Sequence, residues 1–231
     1  MFLWREFQRL IGLPTHSDRF KNQSVQSGDI LDYFALLGEP RRPWLDPELL
    51  KEKFLKLSAR FHPDRVHNQP ESERLAAQKT YTDLNAAYQC LQEPKDRLRH
   101  LLELELGRAP ANLQRVPPEL MDLSMEIGQA CQQADRLLRE KAVTVSPLLK
   151  AQQFQRNQEW VDRLLNVRGR LDALFDQFLA ELKRIDSIWS PGVSAPDKQE
   201  LLTQLDGLCR LFSFLGRWRN QLQERIAKLS F

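Results

Sequence analysis

The sequence predicts an all-α fold: an antiparallel helical hairpin with short helices first, then a C-terminal three-helix bundle. Three observations predict it. No stretch alternates apolar and polar residues as a half-buried strand does. Apolar residues recur every three or four positions through each long segment. Prolines fall between these segments or at their starts, where a missing N–H and a fixed φ do least harm.

Taken in order, Leu3, Phe7 and Leu10 share one helix face near the start. That spacing suits a short helix docked on the fold, the alternative being an interfacial or partner-binding helix. Residues 15–30 are polar and mixed and suit a linker. Tyr33, Phe34, Leu36 and Leu37 form a short apolar segment closed by Gly38, and Pro40-Arg41-Arg42-Pro43 interrupts any helix. Asp46 can cap the next helix, with Pro47 at its first position and Glu48 at the positive end of its dipole. Leu50, Phe54, Leu57 and Phe61 give it one buried stripe, while Lys53, Lys56 and Arg60 share another face. Pro63 pushes His62 out of the helical region and ends it.

A polar loop with Arg65, His67 and Asn68 is expected next. Pro70, Glu71 and Glu73 open a helix with Ala77, Leu84, Tyr88 and Leu91 inward. Pro94 starts another, with Leu98, Leu101 and Leu102 inward and Gly107 as its C-terminal cap. Pro110, Pro117 and Pro118 mark a second linker. The first bundle helix then carries Leu120, Leu123, Ile127, Ala130 and Ala134, followed by Leu137 or Leu138. Ser146-Pro147 starts the second, whose stripe runs Val161, Leu164, Arg168, Leu171, Phe175, Phe178, Leu182, Ile185. Ser190-Pro191-Gly192 turns the chain into a third, with Leu201, Leu205, Leu208, Phe212, Leu215, Arg219, Leu222, Ile226 and Leu229. Short connections predict antiparallel packing.

Composition narrows the function. The chain has 231 residues, 42% of them hydrophobic and 28% charged, with a net charge of +3, so bulk electrostatics imply neither a nucleic-acid nor a membrane partner. Nucleic-acid binding would need a denser basic face with stacking aromatics. No stretch approaches the roughly 20 apolar residues of a membrane span, and the charged start lacks the apolar run of a secretory signal. Cys90, Cys131 and Cys209 are far apart and form no metal-binding pair, which suits a reduced, cytoplasmic setting.

The tip between the two hairpin helices holds the most informative residues, His62, Pro63 and Asp64. Pro63 stiffens the loop and lowers the entropy lost when it docks. Asp64 can accept two hydrogen bonds from an arginine. Lys53, Lys56 and Arg60 can steer an acidic partner surface onto the tip.

Residues 32–107 resemble a J-domain. The matching stretches are Asp32-Tyr33-Phe34, Phe61-His62-Pro63-Asp64-Arg65, and Leu84-Asn85-Ala86-Ala87-Tyr88 continuing to Pro94. The resemblance implies a co-chaperone that promotes ATP hydrolysis by a DnaK-type chaperone. It makes His62, Pro63, Asp64, Lys53, Lys56, Arg60 and Arg65 the chaperone-binding residues. It also divides the chain into an extension and linker at 1–31, a J-domain at 32–107, a linker at 108–118 and a bundle at 119–231.

The chain has neither a Gly/Phe-rich segment nor a Cys-rich module. Its layout, with Tyr33-Phe34, Arg97 and Leu101-Leu102, resembles the HscB family of iron–sulfur co-chaperones. That likeness implies an HscA-type ATPase as one partner and the scaffold protein IscU as client. It places the client surface on Leu120, Met121, Leu123, Met125 and Glu126. Methionines suit such a surface because they adapt at little strain. One helix cannot bury Leu120, Met121, Leu123 and Met125 on one face, so about half of them belong to the core. The segment departs from the family pattern by an extra residue between Met121 and Met125 and by Gly128-Gln129-Ala130-Cys131 in place of an acidic run.

A different client for the same J-domain, with Trp160, Trp189 and Trp218 in the bundle's surface or core, is the main alternative. Dimerisation through the long helices fits less well, because Arg168 and Arg219 interrupt the apolar stripes. Catalysis would rest on His62, Asp64 and His67, which lack a third ligand or a nucleophile. The sequence therefore points to no enzyme, no metal and no cofactor.

Overall fold

A computed structural model describes residues 30–66, 68–107, 116–143, 147–190 and 194–230. The predicted helix at Leu3–Leu10, nearly all of the first linker, most of the 108–118 linker, His67, Ser146 and the Pro191-Gly192 turn lie outside the described residues. Met1–Leu31 and Asp32–Phe231 are two compact units. Of the first, only Ile30 and Leu31 are described, and both are exposed.

Every described regular element is helical, and no strand occurs among them. α1 (Tyr33–Leu36) is capped by Asp32, whose Oδ1 accepts the N–H groups of Phe34 at 2.9 Å and Ala35 at 3.2 Å. Gly38 closes it at φ 65°, a left-handed conformation open to glycine. α2 (Pro47–Ser58) is capped by Asp46, which accepts from Glu48 at 2.9 Å and Leu49 at 3.1 Å. α4 (Glu71–Gln92) and α5 (Pro94–Leu106) follow the expected prolines, and Gly107 caps α5 at φ 66°. Between α2 and α4 the structure differs from the expected loop. Pro63–Val66 form one helical turn, α3, closed by the Arg65 N–H on the His62 carbonyl at 2.9 Å. The proline that ends α2 is itself suited to the first position of a new turn.

The C-terminal part comprises a 3₁₀ turn (Pro118–Leu120), α6 (Met121–Val143), α7 (Pro147–Ile188) and α8 (Ala195–Ser230). On α8 all the expected apolar positions are buried. On α7, Val161, Leu164, Leu171, Leu182 and Ile185 are buried, Phe175 and Phe178 partly so. Val167 is buried as well, because a 3.6-residue turn drifts away from a strict alternation. The two stripe arginines are satisfied at the rim. Arg219 donates to Asp172 at 2.9 Å, and Arg168 lies 3.7 Å from the same carboxylate.

Helix length decides what covers what. At 1.5 Å per residue, α7 with 42 residues runs roughly 60 Å and α6 with 23 roughly 35 Å. α6 therefore covers only one end of the α7–α8 hairpin, through Ile127, Ala134, Leu164, Leu215 and Leu222. At the other end Leu182, Ile185, Leu201, Leu205 and Phe212 share a core with Phe34, Leu50, Leu84, Leu98 and Leu101. Asp186 reinforces this second core. It is 6% exposed and pairs with Arg42 through two hydrogen bonds, and it accepts the Trp44 N–H at 3.1 Å. Trp189 donates its indole N–H to the Arg41 carbonyl at 2.8 Å. The loop between α1 and α2 is thus held by the end of α7.

His100 adds a pH-dependent contact to the same core. Its Nε2 accepts the Tyr33 N–H at 3.0 Å, and its ring stacks on Phe34. Burial pushes its pKa down to about 4, with Asp32 opposing and Arg41 reinforcing the shift. The unfolded chain binds this proton near the ordinary value of 6.5. The stabilisation is therefore complete above about pH 6.5 and declines as the pH falls towards 4. Between pH 7 and 4 we expect the wild type to lose about 2–3 kcal/mol more than His100→Gln, whose amide keeps an acceptor without titrating. Urea unfolding across that range measures it, and parallel pH profiles would reject the role of His100.

Candidate functional site

α2 and α4 lie antiparallel, joined through Leu50, Leu84 and a stack of Phe54 on Tyr88 at 4.3 Å. Where they connect, His62 and Asp64 stand outward, their side chains 46% and 88% exposed. The Asp64 N–H lies 3.3 Å from His62 Nδ1, and the Asp64 carboxylate 3.5 Å from the same nitrogen. Tyr81 on α4 meets the imidazole edge-on at 5.7 Å. The backbone turn of α3 and this ring contact fix the direction of the tip while leaving both polar groups reachable. Pro63 opens α3.

The basic residues divide into two kinds. Lys53 sits 2.9 Å from Glu39 and donates to the Gly38 carbonyl at 3.0 Å, so it ties α2 to the end of α1. Lys56 pairs with Glu52 at 2.6 Å, an exposed contact of little energetic weight. Arg60 and Arg65 are exposed, and among the described residues no carboxylate lies within 4 Å of either. Among the described residues Arg60 and Arg65 thus keep unpaired charges near the tip, whereas Lys53 and Lys56 are matched by acids.

On the bundle, the expected client residues separate. Leu120 is 1% exposed and lies in the core with Ile127 and Ala134. It sits on the core stripe with Leu123 and Ile127, as the spacing expects, and not on an open surface. Leu123 is partly buried against the same core. Met121 and Met125 face outward, 46% and 58% exposed. Glu126 pairs with Arg170 on α7. The tip and these methionines are separate places on the chain, and nothing brings them into one site.

Among the described residues no cluster of three His, Cys, Asp or Glu side chains could hold a metal ion. All three cysteines are buried thiols. Burial raises the pKa of each, that of Cys209 to about 11, so none offers a reactive thiolate near neutral pH. No described helix is long and apolar enough to cross a membrane. The clamp formed by Asp186, Arg42 and Trp189 escaped the sequence reading. Its one local signal is an acid beside Ile185, at the buried edge of the α7 stripe.

Residues 32–100 match the family model of the DnaJ domain, so the chain carries a J-domain over that segment. Two solved structures share the wider fold. One is chaperone HscB from Vibrio cholerae, 22% identical, with 84% of this chain and 96% of that chain covered and a TM-score of 0.57. The other is human co-chaperone protein HscB, 20% identical, with coverages of 93% and 91% and a TM-score of 0.55. In common with them, this chain has an all-α architecture with its J-domain ahead of a helical bundle.

Proposed function

We propose that the J-domain at residues 32–100 makes this chain a co-chaperone of a DnaK/HscA-type ATPase, with a client held on the bundle. The observation that carries the reading is the exposed His62–Asp64 tip, oriented by α3 and Tyr81 and flanked by Arg60 and Arg65. The arginines guide the tip towards an acidic surface of the ATPase. Asp64 then presents two acceptor oxygens to an arginine of that surface. His62 and Pro63 supply a pre-shaped turn that loses little entropy on docking. The chain itself performs no chemistry in this account; it trips the hydrolysis step of its partner.

The client is an IscU-type scaffold and the pathway iron–sulfur cluster assembly. The fold shared with two HscB proteins supports this, as do the outward Met121 and Met125 at the start of α6. The buried thiols and the absence of a described membrane-length helix support work in the cytoplasm. A different client is the second reading. It is favoured by Gly128-Gln129-Ala130-Cys131, which stands where an acidic run is expected. The provisional boundaries remain 32–107 for the J-domain and 119–231 for the bundle, with α5 and the far end of α7–α8 sharing a core across them.

Titration of the full chain with a scaffold protein tests the client assignment. Met121→Ser with Met125→Ser is expected to weaken the complex about tenfold or more, since outward apolar anchors dominate such interfaces. Unchanged affinity would remove the methionines from the site. No complex with the wild type would remove the iron–sulfur assignment and leave the J-domain reading standing.

A further inference from the structure

α6 and α7 do not close completely against each other. A groove of about 430 Å³ runs between them, floored by Ala130 and Val167, both nearly buried. The small side chain of Ala130 leaves the space. One wall is Gln129 and Gln133 on α6; the other is Trp160, Arg163 and Asn166 on α7. Met125 lies one helical turn before Gln129, so the exposed methionine strip runs into this wall.

The chemistry of the walls is specific. The Arg163 guanidinium lies over the Trp160 ring, 4.8 Å from its centre, so this wall holds a cation and an indole against each other. Among the described residues Arg163 has no carboxylate within 4 Å. The groove's own acid, Glu126, is already neutralised by Arg170 at one end. The groove therefore carries an uncompensated positive charge beside an apolar plate. Its amides can both donate to and accept from a peptide backbone. The volume lies within the roughly 300–1,000 Å³ of ordinary binding clefts.

We propose that this groove binds an extended client segment in which an apolar side chain sits beside a carboxylate. The apolar group packs on Trp160, the carboxylate meets Arg163, and Gln129, Gln133 and Asn166 hold the backbone. The assignment rests on the reading that the bundle is the client-binding part, but not on the client being a cluster scaffold. It is an acid-selecting site, with Arg163 the residue that sets the selection.

The test uses the full chain and a fluorescein-labelled nonapeptide, Gly-Ser-Leu-Asp-Phe-Asp-Leu-Ser-Gly, alongside a version with lysine at both aspartate positions. Fluorescence anisotropy should give saturable binding of the acidic peptide and at least tenfold weaker binding of the lysine version. Arg163→Glu should lose at least tenfold for the acidic peptide and reverse the preference. Trp160→Ala should also lose at least tenfold, with Trp160→Phe restoring most of it. Arg139→Glu makes the same charge change at an exposed α6 position outside the groove and should stay within twofold of wild type. No saturable binding to the wild type, or equal binding of the acidic peptide by wild type and Arg163→Glu, overturns the proposal. A scaffold titration run beside it separates the two claims. Peptide binding without scaffold binding keeps the groove and rejects the scaffold client. Scaffold binding without peptide binding does the reverse.

Discussion

Replacing His62 with glutamine is expected to abolish most of the acceleration of ATP hydrolysis by a DnaK-type chaperone while leaving the fold intact. The ring is half exposed, and its described contacts are the Asp64 N–H, the Asp64 carboxylate at 3.5 Å and Tyr81. Surface changes of this kind usually shift stability by about 0.5 kcal/mol or less. The functional loss is expected to be about tenfold or more, corresponding to a hot-spot contact of roughly 1.4 kcal/mol or greater. Single-turnover hydrolysis with each protein added at equal concentration measures it, and a matched thermal midpoint confirms the fold. Asp64→Asn should behave similarly, because an amide keeps the shape but loses the two anionic acceptors. Arg60→Ala with Arg65→Ala should act differently, slowing association and steepening its loss at low ionic strength, since steering is screened by salt. Equal stimulation by wild type and His62→Gln would reject the role of His62.

The second large effect is expected at Arg97. This side chain on α5 is 3% exposed, and it donates to the Pro43 carbonyl at 2.8 Å and the Leu91 carbonyl at 2.6 Å. Leu91 lies in the last turn of α4, where carbonyls have no partner within the helix. Pro43 lies in the loop that Asp186 and Trp189 hold from α7. One guanidinium thus joins a helix end, a loop and α5. Burial pushes its pKa down to about 10, with nearby groups including Asp186 opposing the shift, so it stays charged at neutral pH. Arg97→Ala leaves two buried acceptors unsatisfied at about 1–3 kcal/mol each and opens a void beside Leu98 and Leu101. A total loss of about 3–5 kcal/mol is expected, with a fall in Tm on the order of 10 °C for a chain of this size. Denaturant unfolding measures it. A loss below about 1 kcal/mol would show that water replaces the guanidinium at little cost.

Much of this architecture was legible in the sequence because helices announce themselves locally. Asp32 and Asp46 cap as their side chains allow, Pro47 and Pro94 stand at first positions, and Gly107 takes the left-handed turn. The spacing of Leu201 through Leu229 gave the buried face of α8 correctly. The tip was legible for the same reason: a proline between two exposed polar residues is a local feature. What escaped depends on contacts between distant positions. Asp186 meets Arg42 across 144 residues, and no local periodicity encodes that pairing. Lys53 was grouped with the steering charges, and its pairing with Glu39, in the loop after α1, is one that no local spacing encodes. Leu120 turns inward on the expected stripe while Met121 stands out, as neighbours about 100° apart on a helix can, but how far Met121 and Met125 stand clear depends on packing with α7 and α8. The buried Gln153 and Asn157, beside exposed Leu148 and Phe154, invert the usual polarity at the start of α7, and the sequence alone does not explain it.

Coupling between the two ends gives the sharing of one core by the J-domain and the α7–α8 hairpin its consequence. The tip and the bundle surface belong to the same compact unit, Asp32–Phe231, so a client on the bundle is carried with the tip. Binding at one end then raises the effective concentration at the other. The most direct measurement is single-turnover ATP hydrolysis by a DnaK-type chaperone with this chain alone, the scaffold alone, and both together. The account predicts acceleration by the chain alone and a rate with both that exceeds the product of the two separate accelerations. A chain that leaves the hydrolysis rate unchanged, with or without the scaffold, would contradict it.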